Sequence, residues 1–106
     1  MTNYVLLYSG GSMPETEAEQ AVVLGAWAEW YKALGDAVVD PGNPFAPAAK
    51  SIASDGTVSD GPAGSMASGY TVLKANSLDE VVEMSRGCPV LQGGAQISVF
   101  ETFSVM

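Results

Sequence analysis

Asn3-Tyr4-Val5-Leu6-Leu7-Tyr8 decides the fold of this chain. Side chains alternate across a strand, so Tyr4, Leu6 and Tyr8 point one way and Val5 and Leu7 the other. Both sets are apolar or aromatic. A half-exposed strand would alternate with polar residues, so this one reads as a central strand covered on both faces. The rest of the chain must therefore supply cover for two sides of a sheet.

Ser9-Gly10-Gly11-Ser12 breaks the strand, and the spacing beyond it predicts a helix over 16–34. Thr16 with Glu19 fits a capping box, in which the two side chains satisfy each other's orphan backbone donors. Val23, Trp27, Trp30 and Leu34 fall at i, i+4, i+7 and i+11 and lie in one stripe, with Glu29 and Lys32 opposite. Gly35 is a natural C′ stop. Asp36 to Asp40 reads as a short strand. Asp40-Pro41-Gly42-Asn43 matches a type II turn, with Pro at i+1 and Gly at i+2. Lys50–Ser54 and Thr57–Ser59 read as a hairpin, with Asp55-Gly56 as a two-residue type I′ turn.

The second part repeats the order of the first. Gly69 to Ala75 is a strand. Ser77 with Glu80 is another capping box, and Leu78, Val81 and Val82 are expected to face the core of a helix that stops at Gly87. Ala95 to Phe103 is the last strand, with Ile97, Val99 and Phe103 on one side. The order β-α-β, hairpin, β-α-β predicts an α+β, ferredoxin-like domain over 1–106, with a four-stranded antiparallel sheet and both helices on one face. The other face then needs cover. A second copy of the chain, packed sheet to sheet through the face that carries Tyr8, is the simplest; the alternative is that the Pro-rich segment 41–68 folds back over its own sheet.

Composition narrows the function. The 106 residues are 47% hydrophobic, which supports a real core, and the net charge is −8. The basic residues are Lys32, Lys50, Lys74 and Arg86 alone, so neither phosphate backbones nor an anionic membrane surface suits this chain. No positive charge precedes Lys32, apolar runs are short, and Cys88 has no disulfide partner, so the expected location is cytoplasmic. The chain has no histidine. That excludes a His-based triad and a His-containing zinc site. No set of carboxylates has metal-ligand spacing, and no cofactor motif is present, so neither a metal nor a cofactor is expected.

The ordered motifs Tyr4-Val5-Leu6-Leu7-Tyr8, Asp40-Pro41-Gly42-Asn43-Pro44-Phe45, Asp60-Gly61-Pro62, Gly69-Tyr70, Ala75-Asn76-Ser77-Leu78-Asp79-Glu80 and Gly87-Cys88-Pro89 resemble the YCII-related family in its DGPF branch. The resemblance spans nearly the whole chain. It implies a dimeric ferredoxin-like α/β barrel. It also implies one of two roles: an enzyme using a His–Asp pair in a cleft, or a module associated with sigma factors of the extracytoplasmic-function type. The chain departs from the pattern in lacking the His, in reading Asp60-Gly61-Pro62-Ala63 where the family has Phe, and in carrying Gly64-Ser65-Met66-Ala67-Ser68 in place of a Glu- and Lys-rich stretch.

Asp40 is the first candidate for a catalytic carboxylate, because it ends a strand before Pro41 and could project into a cleft as a general base. The alternative is that Asp40 closes the turn by accepting a backbone N–H. Tyr8, Ser9, Asn43, Phe45 and Asp60 are the candidate ligand-binding residues. Each has a structural alternative: an interface hydroxyl, a strand-to-helix turn, a satisfied turn amide, a packed anchor and a turn carboxylate. Cys88 reads as a small packed residue, and Trp27 and Trp30 as core. Two functions follow. One is proton transfer on a small organic molecule with Asp40 as acid or base. The other is a non-catalytic binding or regulatory module beside a sigma factor or partner enzyme.

Overall fold

A computed structural model describes residues 1–12 and 14–105. The first strand, β1 (Thr2–Ser9), leads to helix α1 (Glu17–Leu34), a 3-10 turn at Gly35–Ala37 and the short strand β2 (Val38–Asp40). Strands β3 (Lys50–Ile52) and β4 (Val58–Asp60) form a hairpin of their own. Strand β5 (Ala67–Ala75), helix α2 (Leu78–Ser85), a 3-10 turn at Pro89–Gly93 and strand β6 (Gln96–Glu101) complete the order. The main sheet runs β2-β5-β1-β6, with every neighbouring pair antiparallel. This is the ferredoxin-like arrangement, and β1 is central in it, as its two apolar faces require.

Both helix starts are built by their caps. Thr16 Oγ1 accepts from Glu19 N at 3.2 Å, and Ser77 Oγ accepts from Glu80 N at 3.1 Å. Each bond satisfies one of the orphan donors that a helix start leaves. Gly35, at φ 56°, stops α1 and donates its N–H to the Tyr31 carbonyl.

Both helices cover the face that carries Tyr4, Leu6 and Tyr8. These three pack in one buried cluster with Leu73, Ala75, Trp30, Val81 and Cys88. The register stacks Leu73 beside Tyr4, Thr71 beside Leu6 and Gly69 beside Tyr8. Tyr8 therefore lies under the helices, not on the open face where the sequence reading placed it. Alternation could not decide the matter, because both faces of β1 are apolar. On the opposite face Val72, Val5 and Phe100 form a row across three strands. Segment 41–68 covers only one end of that face: Pro44 bridges Gly69, and the Phe45 ring stacks on Tyr70 at 5.9 Å. Phe100 stays 54% exposed.

Three local expectations are corrected. In α2 only Val81 of the expected trio is buried; Leu78 and Val82 are 45% and 36% exposed, and Ser85 takes the second inward place, one turn on. Phe103 lies beyond the end of β6 and is 84% exposed, so only Ile97 and Val99 of its side pack on the core. The hairpin does not close on a type I′ turn. Among the described residues none but glycine has positive φ, while Gly56 sits at 91°. Ala53 N bonds Thr57 O and Gly56 N bonds Ala53 O, which makes a three-residue loop with Gly at its left-handed position.

Candidate functional site

The site begins where α1 departs from the sheet. From Trp27 onward the helix is held down. Trp30 is buried, donates its indole N–H to the Met84 carbonyl at 3.0 Å, and thereby ties α1 to α2. The preceding two turns have no such anchor, and Val22 and Leu24 are 73% and 62% exposed. Between this lifted end and the end of the sheet lies a cleft of about 620 Å³. Val23, Ala26 and Trp27 form its helix wall. Tyr8, Tyr31 and the chain from Pro41 to Pro44 form its floor and far side, and the Gly10–Ser12 and Pro89–Gly93 loops close one end. Ser12 N donates to the Gly93 carbonyl at 3.2 Å and holds those two loops together.

Two glycines make the walls possible. A Cβ on Gly42, at φ 73°, would lie 1.8 Å from the Tyr70 carbonyl oxygen. A Cβ on Gly11, at φ 83°, would lie 2.9 Å from Ala95 Cβ. Only glycine allows the turn and the loop to approach the sheet this closely.

Aromatic rings set the width of the cleft. Trp27 meets Tyr8 edge to face, with centroids 5.7 Å apart, and lies 5.7 Å from Tyr31 in a tilted pair. Behind them runs a directed hydrogen-bond chain. Cys88 Sγ points at Tyr8 Oη at 3.7 Å, Tyr8 donates to Thr71 Oγ1 at 2.7 Å, and Thr71 donates to the Pro41 carbonyl at 3.1 Å. Tyr31 donates to the same carbonyl at 3.0 Å. Burial pushes the Tyr8 and Tyr31 phenols and the Cys88 thiol above their ordinary pKa values. All three are therefore neutral donors near pH 7, and the Cys88 thiol is no nucleophile.

None of the described residues lining the cleft is charged. The candidate residues distribute as follows. Tyr8 and Asn43 line the cleft. Asp40 does not: its Oδ1 accepts from Gly42 N at 2.8 Å and its Oδ2 from Tyr70 Oη at 3.0 Å. Asp40 thus holds the turn from behind, the structural alternative weighed for it. Its carboxylate also raises the pKa of the Tyr70 phenol, which donates to it. Ser9 ends β1, at a register shift beside Ala67, and the cleft starts one residue later, at Gly10. Phe45 stacks outside, on Tyr70. Asp60 lies on the exposed hairpin and pairs with Lys50. Among the described residues no group of His, Cys, Asp or Glu could hold a metal ion, and no helix is long and apolar enough to cross a membrane.

Sequence reasoning missed Trp27, Tyr31 and Ala26 as cleft residues. Trp27 is only half-buried and serves both the core and the cleft. The available signal was the i, i+4 pair Trp27 and Tyr31, two amphipathic rings on one side of a helix that also carries Trp30.

The fold and cleft define a ferredoxin-like α+β protein with an uncharged pocket at one end of its sheet. Among solved structures it is similar to the 5-chloro-2-hydroxyhydroquinone dehydrochlorinase TftG from Burkholderia phenoliruptrix AC1100, in complex with 2,5-dihydroxybenzoquinone. The TM-score is 0.55 at 17% identity, over 95% of this chain and 93% of the other, a likeness of fold. No protein-family model matches the chain, and no curated protein matches it either.

Proposed function

We propose that this protein binds a small, uncharged, largely apolar organic molecule in the cleft beneath the first half of α1. One observation carries the reading: a cleft of about 620 Å³, of the size that holds a small ligand, has no charged side chain among the described residues of its walls. A charged ligand would lose its hydration there without a partner to replace it. The fold neighbour from Burkholderia phenoliruptrix holds a small ring, 2,5-dihydroxybenzoquinone, which supports the scale of the molecule. Proton transfer by Asp40 is not part of this reading, because Asp40 does not line the cleft and its two oxygens hold the wall residues Gly42 and Tyr70.

Ala26→Trp tests it by filling the cleft from the helix wall. Binding of a small aromatic probe should weaken by at least about tenfold, the effect of losing roughly 1.4 kcal/mol of contact, with the thermal midpoint unchanged. Equal binding by wild type and variant would contradict the reading.

The resemblance to the YCII-related family, and the uncovered row of Val72, Val5 and Phe100, support a homodimer through the open sheet face. Sedimentation at micromolar concentration should give a dimer, and Phe100→Glu should make it a monomer. A wild-type monomer would refute this contact.

A further inference from the structure

The hydrogen bonds behind the cleft have a direction, and the direction constrains what can bind. This inference rests on the small-molecule reading and names the ligand class. The Pro41 carbonyl accepts from two donors, the Tyr31 hydroxyl at 3.0 Å and the Thr71 hydroxyl at 3.1 Å. A carbonyl oxygen has two lone pairs, so this one is filled. The Thr71 hydroxyl spends its proton on Pro41 and accepts from Tyr8. Tyr8 spends its own proton on Thr71 and faces the Cys88 thiol. Every proton in the set is committed inward. Tyr31 and Pro41 both line the cleft, and the bond between them is open to solvent. What Tyr31 still offers is an oxygen lone pair, able to accept and unable to donate.

From this pattern we infer that the protein selects an uncharged aromatic molecule bearing a hydrogen-bond donor, a phenolic hydroxyl or a ring N–H, with that donor placed on the Tyr31 oxygen. The rings of Trp27 and Tyr8, 5.7 Å apart and inclined at 67°, supply apolar contact for the ring. An ether or ketone in the same place would bring a second acceptor against Tyr31 and leave both without a proton. A carboxylate would add desolvated charge to an uncharged cleft in a protein of net charge −8.

The test uses three probes of one shape: 2-naphthol, 2-methoxynaphthalene and 2-naphthoate, titrated calorimetrically into the whole protein at pH 7. The naphthol should bind roughly tenfold more tightly than its methyl ether, the scale of one hydrogen bond, and the naphthoate more weakly than either. In Tyr31→Phe, checked for a cooperative melt, the naphthol should fall to within about threefold of the ether. A methyl ether that matches the naphthol on wild-type protein overturns the donor rule while leaving the cleft reading intact, and needs no variant. A naphthol preference that survives in Tyr31→Phe overturns the role of Tyr31. Binding of none of the three overturns the cleft reading itself, and this inference with it.

Discussion

The two β-α-β halves share a plan, and they differ in how their helices meet the sheet. α2 lies close: Val81 and Ser85 are buried, and its cap at Ser77 follows two residues after β5. α1 is more than twice as long and lies close only from Trp27 onward. Its first two turns rise over a cleft propped by Trp27, Tyr8 and Tyr31. The lesson is that a repeated fold element becomes a site where its packing is left unfinished. The closed half and the closed end of α1 supply the rigidity against which the open end is held.

Trp30 is where the two halves depend on each other, so it gives the largest expected effect. Trp30→Ala removes a buried ring and its bond to the Met84 carbonyl. The expected loss is about 3–5 kcal/mol in urea unfolding. A loss below about 1 kcal/mol would mean that the halves are stable without this tie.

High pH should destabilise the fold through its tyrosines, Tyr8 and Tyr31 behind the cleft among them. Tyr8 and Tyr31 have pKa values raised above 10.0 by burial, which the hydrogen bond to the Thr71 hydroxyl offsets only in part. Above pH 10 the unfolded tyrosines ionise while the folded ones hold their protons. The folded state then binds more protons, and stability falls as pH rises. Below pH 10 both states are protonated, and this contribution is complete. Denaturation should thus show a shallow decline from about pH 9, where the unfolded Cys88 thiol ionises and the buried one does not, and a steeper one above about 10 that is shallower in Tyr31→Phe. An unchanged slope above pH 10 in the variant would contradict the assignment.

Gly42→Ala is smaller and more local. The added methyl meets the Tyr70 carbonyl, and φ is positive, so the turn must shift at a cost of about 1–3 kcal/mol. Because Pro41 and Asn43 wall the cleft, probe binding should weaken along with stability. Full binding in a destabilised variant would detach the turn from the site.

These contrasts mark what the sequence could convey. The central strand, both caps and the Gly35 stop were legible because each depends on residues within a few positions of one another. Tyr8's side was not, because β1 is apolar on both faces and only the placement of α1 and α2 chooses between them. Asp40 read as a candidate base because nothing nearby reveals Tyr70, thirty residues on, as its partner. The cleft was illegible for the same reason: its walls come from the Gly10–Ser12 loop, α1, the Pro41–Pro44 segment and the Pro89–Gly93 turn. Composition had already carried part of the answer, since a chain without histidine and with few charges has little to place in such a pocket but apolar and neutral polar groups.

The most direct test of the central claim is a two-dimensional amide NMR titration with 2-naphthol, with Ala26→Trp as control. The account predicts saturable shifts at the Trp27 indole N–H and at the Gly10 and Gly11 amides, with the Gly56 amide still, and their loss in Ala26→Trp. Shifts concentrated instead on Val5, Val72 and Phe100, or unaltered in Ala26→Trp, would place binding on the open sheet face and contradict it.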